Sequence, residues 1–293
     1  MDITRATRRG RRRTALAVAA VAASVALATQ LPATATATPA APHPTAAAHI
    51  SGGPAISGAA HAAYDDTYYK DAIGKTGQEL KDSLHRIIST TQTGKLTYSQ
   101  VWDALKDTDE DPNNTSNVIL LYTGRSQSKD AHGGNPDDWN REHVWAKSHG
   151  DFGTATGPGT DLHHLRPADV SVNSDRGNKD FDNGGTEIGE APGNYTDNDS
   201  FEPRDAVKGD VARMILYMAV RYDGDDGFPD LEPNDKVDNG SAPSIGRLSV
   251  LKAWSQADPP DAFEQHRNQV IFDKYQHNRN PFIDHPEWVN EIW

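Results

Sequence analysis

From residue 76 onward, apolar side chains recur at helical spacing. Leu80, Leu84, Ile87 and Ile88 fall three to four residues apart, as a helix docked on a core requires. Thr76 and Glu79 stand where a capping box would let each side chain satisfy the other's backbone N–H. A shorter helix is predicted from about Tyr98 to Lys106, with Val101, Trp102 and Leu105 inward. NVILLYTG, 117–124, is a short apolar run ending on glycine, which suits a buried strand. WNREHVW, 139–145, alternates, so Trp139, Arg141, His143 and Trp145 would share one face of a second strand. Residues 149–161 read as loop. Pro167 fits the first turn of a helix, with Asp169 near its positive end. Asp169, Asn173, Arg176 and Asp180 would then line one polar face. Residues 182–203 are rich in Gly, Asn and Asp and read as loop. VKGDVARMILYMAVRY, 207–222, is a strongly apolar helix and the expected centre of the core. An acidic loop, 223–235, precedes helices near 245–257 and 260–276, and apolar side chains dock the terminus. No internal repeat or linker interrupts this stretch.

The N-terminus follows a different pattern. A block of arginines precedes an apolar run from about Thr14 to Thr29, and small residues follow. That is the order of a secretory signal. The run is Ala-rich and short for a membrane anchor, which needs ~20 residues. Residues 1–38 are read as a signal peptide, with competing Ala-x-Ala sites between about Ala33 and Ala41; the paired arginines allow a twin-arginine route. Residues 39–62 hold mainly Ala, Pro, Thr and Gly, too few large apolar groups to fold. They are read as a disordered leader, and 63–293 as one folded domain.

Composition narrows the chemistry. The chain has no cysteine, which removes thiol nucleophiles, disulfides and Cys-type zinc sites. Of its 29 basic and 42 acidic side chains, residues 1–40 hold six arginines and one aspartate. The remainder carries 23 basic against 41 acidic, a net −18. Such a surface suits a soluble exported protein and is no electrostatic trap for polyanions. A polyanionic substrate would need local cations or a metal.

One stretch offers that chemistry. In DWNREHVWAKSHG, 138–150, Glu142 and His143 are adjacent, and adjacent strand side chains point to opposite faces. They can serve one site only if the strand ends or bends there and the following helix crosses close by. Glu142 and Asn173 would then offer two oxygen ligands to a hard cation such as Mg²⁺, which keeps several waters. His143, left off the metal, could take a proton from an attacking water. Arg176, Arg166 or Lys147 could hold phosphate oxygens.

These residues resemble a known family. WNREHVWAKSHG, TDLHHLRPADVSVNSDRGNKDF, VILLYTGRS, KGDVARMILYMAVRY and NRNPFIDHPEWVNEIW are similar to the bacterial endonuclease I family of secreted or periplasmic nonspecific nucleases. The resemblance covers about Ala63 to Trp293. It implies an α+β fold, mainly helical, built around a ββα-metal (His-Me finger) motif. It implies His143 as general base and Glu142 and Asn173 as metal ligands, with Mg²⁺ favoured and Ca²⁺ or Mn²⁺ possible. It further implies DNA and RNA as substrates, cleaved to 5′-phosphates through contacts to the phosphate backbone. Secretion, no membrane association after signal cleavage and a monomeric state complete the expectation. Two features depart from the family. Leu162-His163-His164-Leu165 stands where many relatives have Leu-His-Asn-Leu, leaving the role of His164 open. Residues 146–161 contain no arginine, only Lys147, so the phosphate-stabilising role some relatives place there is unassigned.

Blander readings stand beside these. His163 would support the site from a turn without touching substrate, and Trp139 and Trp145 read as core. DTDED, 107–111, and DGDD, 223–226, lack full EF-hand spacing and read as solvated loops. Two rival functions are a zinc hydrolase using His143, His149, His163 and His164, and a noncatalytic, cation-stabilised extracellular binding module. The first lacks a His-Glu-x-x-His pattern.

Overall fold

The computed structural model describes Tyr64 and residues 67–293; the expected signal peptide (1–38) and leader (39–62) lie outside them. Helix α1, Gly77–Thr91, buries Leu80, Leu84, Ile87 and Ile88 as its spacing requires. The Thr76 capping box does not form: Thr76 is extended and its side chain caps nothing. Helix α2, Val101–Thr108, is followed by strands β1, Glu110–Asp111, β2, Asn114–Ile119, and β3, Ser126–Ser128, in the order β1-β2-β3. The β2 strand begins and ends earlier than the apolar run, because Leu120–Tyr122 continue as buried coil and turn.

Strand β4, Trp139–His143, pairs antiparallel with β5, Leu165–Asp169. The helix expected at Pro167 is therefore a strand there. Val144 N–H donates to the His164 carbonyl at 3.1 Å, extending the ladder by one pair. Hydrogen-bonded pairs alternate along an antiparallel ladder, so Arg141 and Pro167 face one another between bonded pairs. Proline's missing N–H costs nothing at such a position, and the Pro167 carbonyl instead accepts from Leu121 at 2.9 Å. Helix α3, Val170–Arg176, starts only after β5. It ends at Gly177, whose φ of 60° is left-handed and whose N–H closes the last turn on Asn173. The predicted polar face over 169–180 is thus divided among β5, α3 and the segment that follows α3.

Residues 182–203 are not all loop. Strands β6, Asp180–Phe181, β7, Thr186–Glu187, β8, Tyr195–Thr196, and β9, Ser200–Glu202, form a small sheet ordered β6-β9-β8-β7. Helix α4, Lys208–Arg221, is buried along almost its whole length. Strands β10, Glu232–Pro233, and β11, Ser244–Ile245, pair in parallel. Helices α5, Leu248–Ala257, and α6, Ala262–Val270, follow, with α6 running into a π turn over Ile271–Tyr275. Helices α7, Pro281–Asp284, and α8, Trp288–Ile292, close the chain. Segregated helices and small sheets make an α+β domain. No helix among the described residues is long and apolar enough to cross a membrane.

Two apolar clusters carry the packing. The larger surrounds α4 and includes α1, Val144, Trp145, Ala168, Val172 and Trp288. The smaller joins Val101, Leu105, Val118 and Ile271 to Trp139 and Leu165. The β4–β5 pair contributes to both, so it is fixed from two sides. Trp139 and Trp145 are fully buried, as their core reading expected.

Buried charge ties the smaller cluster down. Asp109, just after α2, is fully buried and takes Arg166 Nε at 2.5 Å and Arg267 Nε at 3.2 and 3.3 Å. Asp109→Ala leaves two buried guanidiniums without this carboxylate, and is expected to cost about 3–5 kcal/mol of folding stability. Urea unfolding of the variant beside the parent checks this; a loss within experimental error would show the network to be dispensable.

Candidate active site

Glu142 and His143 are adjacent at the C-terminal end of β4. Both line a cleft of ≈ 590 Å³ together with Asn140, Arg141, Lys147, Asn173 and Arg176. Tyr98 and Trp102 form another wall. Two antiparallel strands and the helix that follows them bring together Glu142, His143, Asn173 and Arg176, and Lys147 from the segment after β4 makes five of the seven residues singled out from the sequence.

His143 is almost fully buried, and its Nε2 lies 3.1 Å from the carbonyl of Gly159. A carbonyl only accepts, so Nε2 carries a proton, and the neutral ring keeps Nδ1 as its basic nitrogen. Burial pushes the imidazole down to about 3; the neighbouring His164 adds to this, and the Gly159 carbonyl opposes it. The ring is therefore neutral at physiological pH. An anion brought into the cleft would favour its protonated form.

Glu142 is also buried. Its Oε1 accepts from the Tyr122 hydroxyl at 2.7 Å and lies 3.2 Å from Arg176 Nη1. No described side chain donates to its Oε2. Burial pushes the Glu142 carboxyl up, while Arg176 and Tyr122 hold it down. Asn173, on α3, donates its amide N–H to Asn140 Oδ1 at 2.7 Å. That bond fixes the amide's orientation and leaves Oδ1 as its acceptor end. A carboxylate and an amide oxygen in one cleft wall are donors suited to a hard cation.

Arg176 reaches the cleft differently from the phosphate role expected of it. It is buried, and donates Nη1 to the His143 carbonyl at 3.0 Å and Nη2 to the Val144 carbonyl at 2.7 Å. It pins the end of β4 to α3 and holds Glu142 beside it. Arg166 does not reach the cleft; its guanidinium is buried against Asp109 and Asp210. His163 is buried outside the cleft, with Nε2 3.2 Å from Asn278 Oδ1 and its backbone N–H on Asp161. His164 accepts the Trp145 N–H at Nδ1 and donates Nε2–H to the Pro158 carbonyl at 2.7 Å. Lys147 is exposed at the rim.

The four histidines of a zinc-hydrolase reading do not converge: His149 lies between the carbonyls of Ser244 and Asn178, and the others have the partners given above. The group among the described residues that could hold a metal through His and Asp is another one. His85 on α1 and Asp223 and Asp225 after α4 bring ligand atoms within 4.8 Å of one another. The reading of 223–226 as solvated loop missed His85, which is remote in sequence.

Tyr122, Asn140 and Gly159 support the site and were not singled out from the sequence. Tyr122 stands in the apolar run 117–124 and Gly159 in the loop 149–161, where nothing local reveals what they will touch.

Residues 76–287 match the family described as Endonuclease I. The chain is 70% identical over 228 residues to the extracellular ribonuclease of Bacillus subtilis (strain 168), with 78% of each chain covered. It is 69% identical over 228 residues to the extracellular ribonuclease of Bacillus amyloliquefaciens, again with 78% of each covered. An extracellular deoxyribonuclease of Aeromonas hydrophila is 31% identical over 129 residues, spanning 42% of this chain and 49% of its own.

Proposed function

Because the chain belongs to the endonuclease I family, we propose that it is an extracellular, metal-dependent nonspecific endonuclease acting on RNA and DNA. One observation carries this reading: His143, its Nε2 held on Gly159, opens on the same cleft as the oxygen donors of Glu142 and Asn173. We read β4, β5 and α3 as a ββα-metal finger.

In the mechanism, Nδ1 of His143 takes the proton of a water that attacks phosphorus. The bond from phosphorus to the 3′ oxygen breaks, and that oxygen takes a proton from solvent, leaving a 5′-phosphate and a 3′-hydroxyl. Glu142 and Asn173 Oδ1 would hold the divalent cation. Their hard oxygens suit Mg²⁺ best, with Ca²⁺ and Mn²⁺ as alternatives. When bound, that ion stabilises charge on the phosphate and the leaving oxygen. Arg176 fixes the backbone at His143 and Val144, so the base keeps its position. Lys147 at the rim offers a mobile charge to the nucleic-acid backbone. Contacts to phosphate carry no sequence information, which accounts for nonspecific cleavage. A monomer agrees with the surface, where Ile73 is the one exposed large apolar side chain among the described residues.

Incubation of the mature protein with plasmid DNA and with RNA, in Mg²⁺, Mn²⁺, Ca²⁺ or EDTA, tests the proposal. Both substrates should be cut to 5′-phosphate ends, and EDTA should stop the reaction. Cleavage that resists EDTA would remove the cation from the mechanism. Absence of cleavage with every cation would leave the binding-module reading in its place.

A further inference from the structure

Arg141 lies two residues before His143 on β4, with its guanidinium among aromatic rings. Its Cζ is 3.5 Å from the Tyr98 ring centroid and 4.0 Å from that of Trp102. Tyr98 also stacks on the His143 ring, with centroids 5.7 Å apart and planes 25° apart. One aromatic side chain is therefore the shared neighbour of the guanidinium and of the proposed base. The rings position Arg141; with a guanidinium on them, they are poorly placed to serve as platforms for bases.

Among the described residues the charge of Arg141 has no counterpart. No carboxylate among the described residues pairs with it. Nη1 donates to the Tyr98 carbonyl at 2.5 Å, Nε is buried without a partner, and no described group accepts from Nη2. The buried arginines among the described residues are paired with carboxylates, among them Arg166 with Asp109, Arg176 with Glu142 and Arg221 with Asp226; half-buried Arg204, which donates to the Leu121 carbonyl, lies outside the cleft. Buried charges are ordinarily paired, and this chain has carboxylates in excess. An unpaired, aromatic-held cation in the cleft wall is what an anionic ligand would complete.

We propose that Arg141 is a further catalytic residue, which holds the non-bridging oxygens of the scissile phosphate beside His143. This rests on the nuclease reading above. It fills the role for which residues 146–161 supply no arginine, and which neither buried Arg166 nor backbone-bound Arg176 is placed to take. A guanidinium presents several N–H donors in a fixed plane, matched to phosphate oxygens. Held in advance by Tyr98 and Trp102, it need not reorganise as charge develops.

The test compares Arg141→Gln and Arg141→Lys with the parent on a short fluorescent oligonucleotide in Mg²⁺. The Gln variant should lose about 10²–10³-fold in kcat, with a much smaller change in KM, as loss of one transition-state donor does. Lys should recover part of the rate, because it restores the charge without the fork. Added guanidinium ion at millimolar concentration should raise the rate of the Gln variant and not that of the parent. Near-UV circular dichroism of the Lys variant checks that the aromatic packing persists. Unchanged kcat in the Gln variant, a loss confined to KM, or no response to Lys and guanidinium would overturn the assignment while leaving the nuclease reading intact. A parent that cleaves no nucleic acid with any cation would overturn both.

Discussion

Replacing His143 with alanine is expected to slow phosphodiester cleavage by about 10³-fold, the usual worth of a positioned general base. The ring is held on three sides: Gly159 takes its Nε2 proton, and Tyr98 and His164 pack beside it. Its removal takes a partner from the Gly159 carbonyl alone, while Tyr98 keeps Arg141 and His164 keeps Trp145 and Pro158, so the fold should survive. Two further readings separate this role from a structural one. Added imidazole should restore part of the lost rate, since it fits the vacated space and supplies a base of ordinary pKa. The rise in melting temperature on adding Mg²⁺ should match that of the parent, because His143 is left off the metal. Cleavage that survives the substitution would move the base away from residue 143. Loss of the Mg²⁺ shift along with the rate would make His143 a ligand instead.

Much of the scaffold around this residue was legible beforehand because it depends on periodicity. The helical spacing of Leu80, Leu84, Ile87 and Ile88 marked α1, and the dense apolar run at 207–222 marked α4. The pair Glu142–His143 stood out because its chemistry is local, and Asn173 followed from the family motif around it. Pro167 misled, since a proline that opens a helix and one that sits between bonded pairs of a two-stranded ladder look alike in sequence. Only the partner strand distinguishes them, and it lies more than 20 residues away. The same limit explains Arg166 and Arg176. Both have the side chain that binds phosphate, and both spend it on partners brought near by the fold, Asp109 for one and the His143 and Val144 carbonyls for the other. Arg141 is the converse case. Alternation placed it on the face of His143, yet nothing local showed that Tyr98 and Trp102, some 40 residues earlier, would hold it.

Glu142→Gln should produce a different pattern from His143→Ala, although the two positions are adjacent. Glutamine keeps the shape of the side chain and an oxygen for the Tyr122 hydroxyl, but it removes the charge. Rate in Mg²⁺ should fall by about 10³-fold, since a catalytic cation supplies several kcal/mol of charge stabilisation and each 1.36 kcal/mol is tenfold. Arg176 also loses its carboxylate, so the melting temperature without metal should drop, and rates must be normalised to the folded fraction. The decisive reading is thermal. A ligand that binds only the folded state raises its stability by mass action, so the parent should be stabilised by Mg²⁺ and the variant much less. The cluster of His85, Asp223 and Asp225 can add a shift of its own, and the titration is therefore repeated in a His85→Ala background. Loss of the shift with Glu142→Gln in that background places the cation in the cleft. A shift that follows His85 alone, with Glu142→Gln still active, would take the metal out of the cleft and leave Glu142 the structural partner of Arg176 and Tyr122.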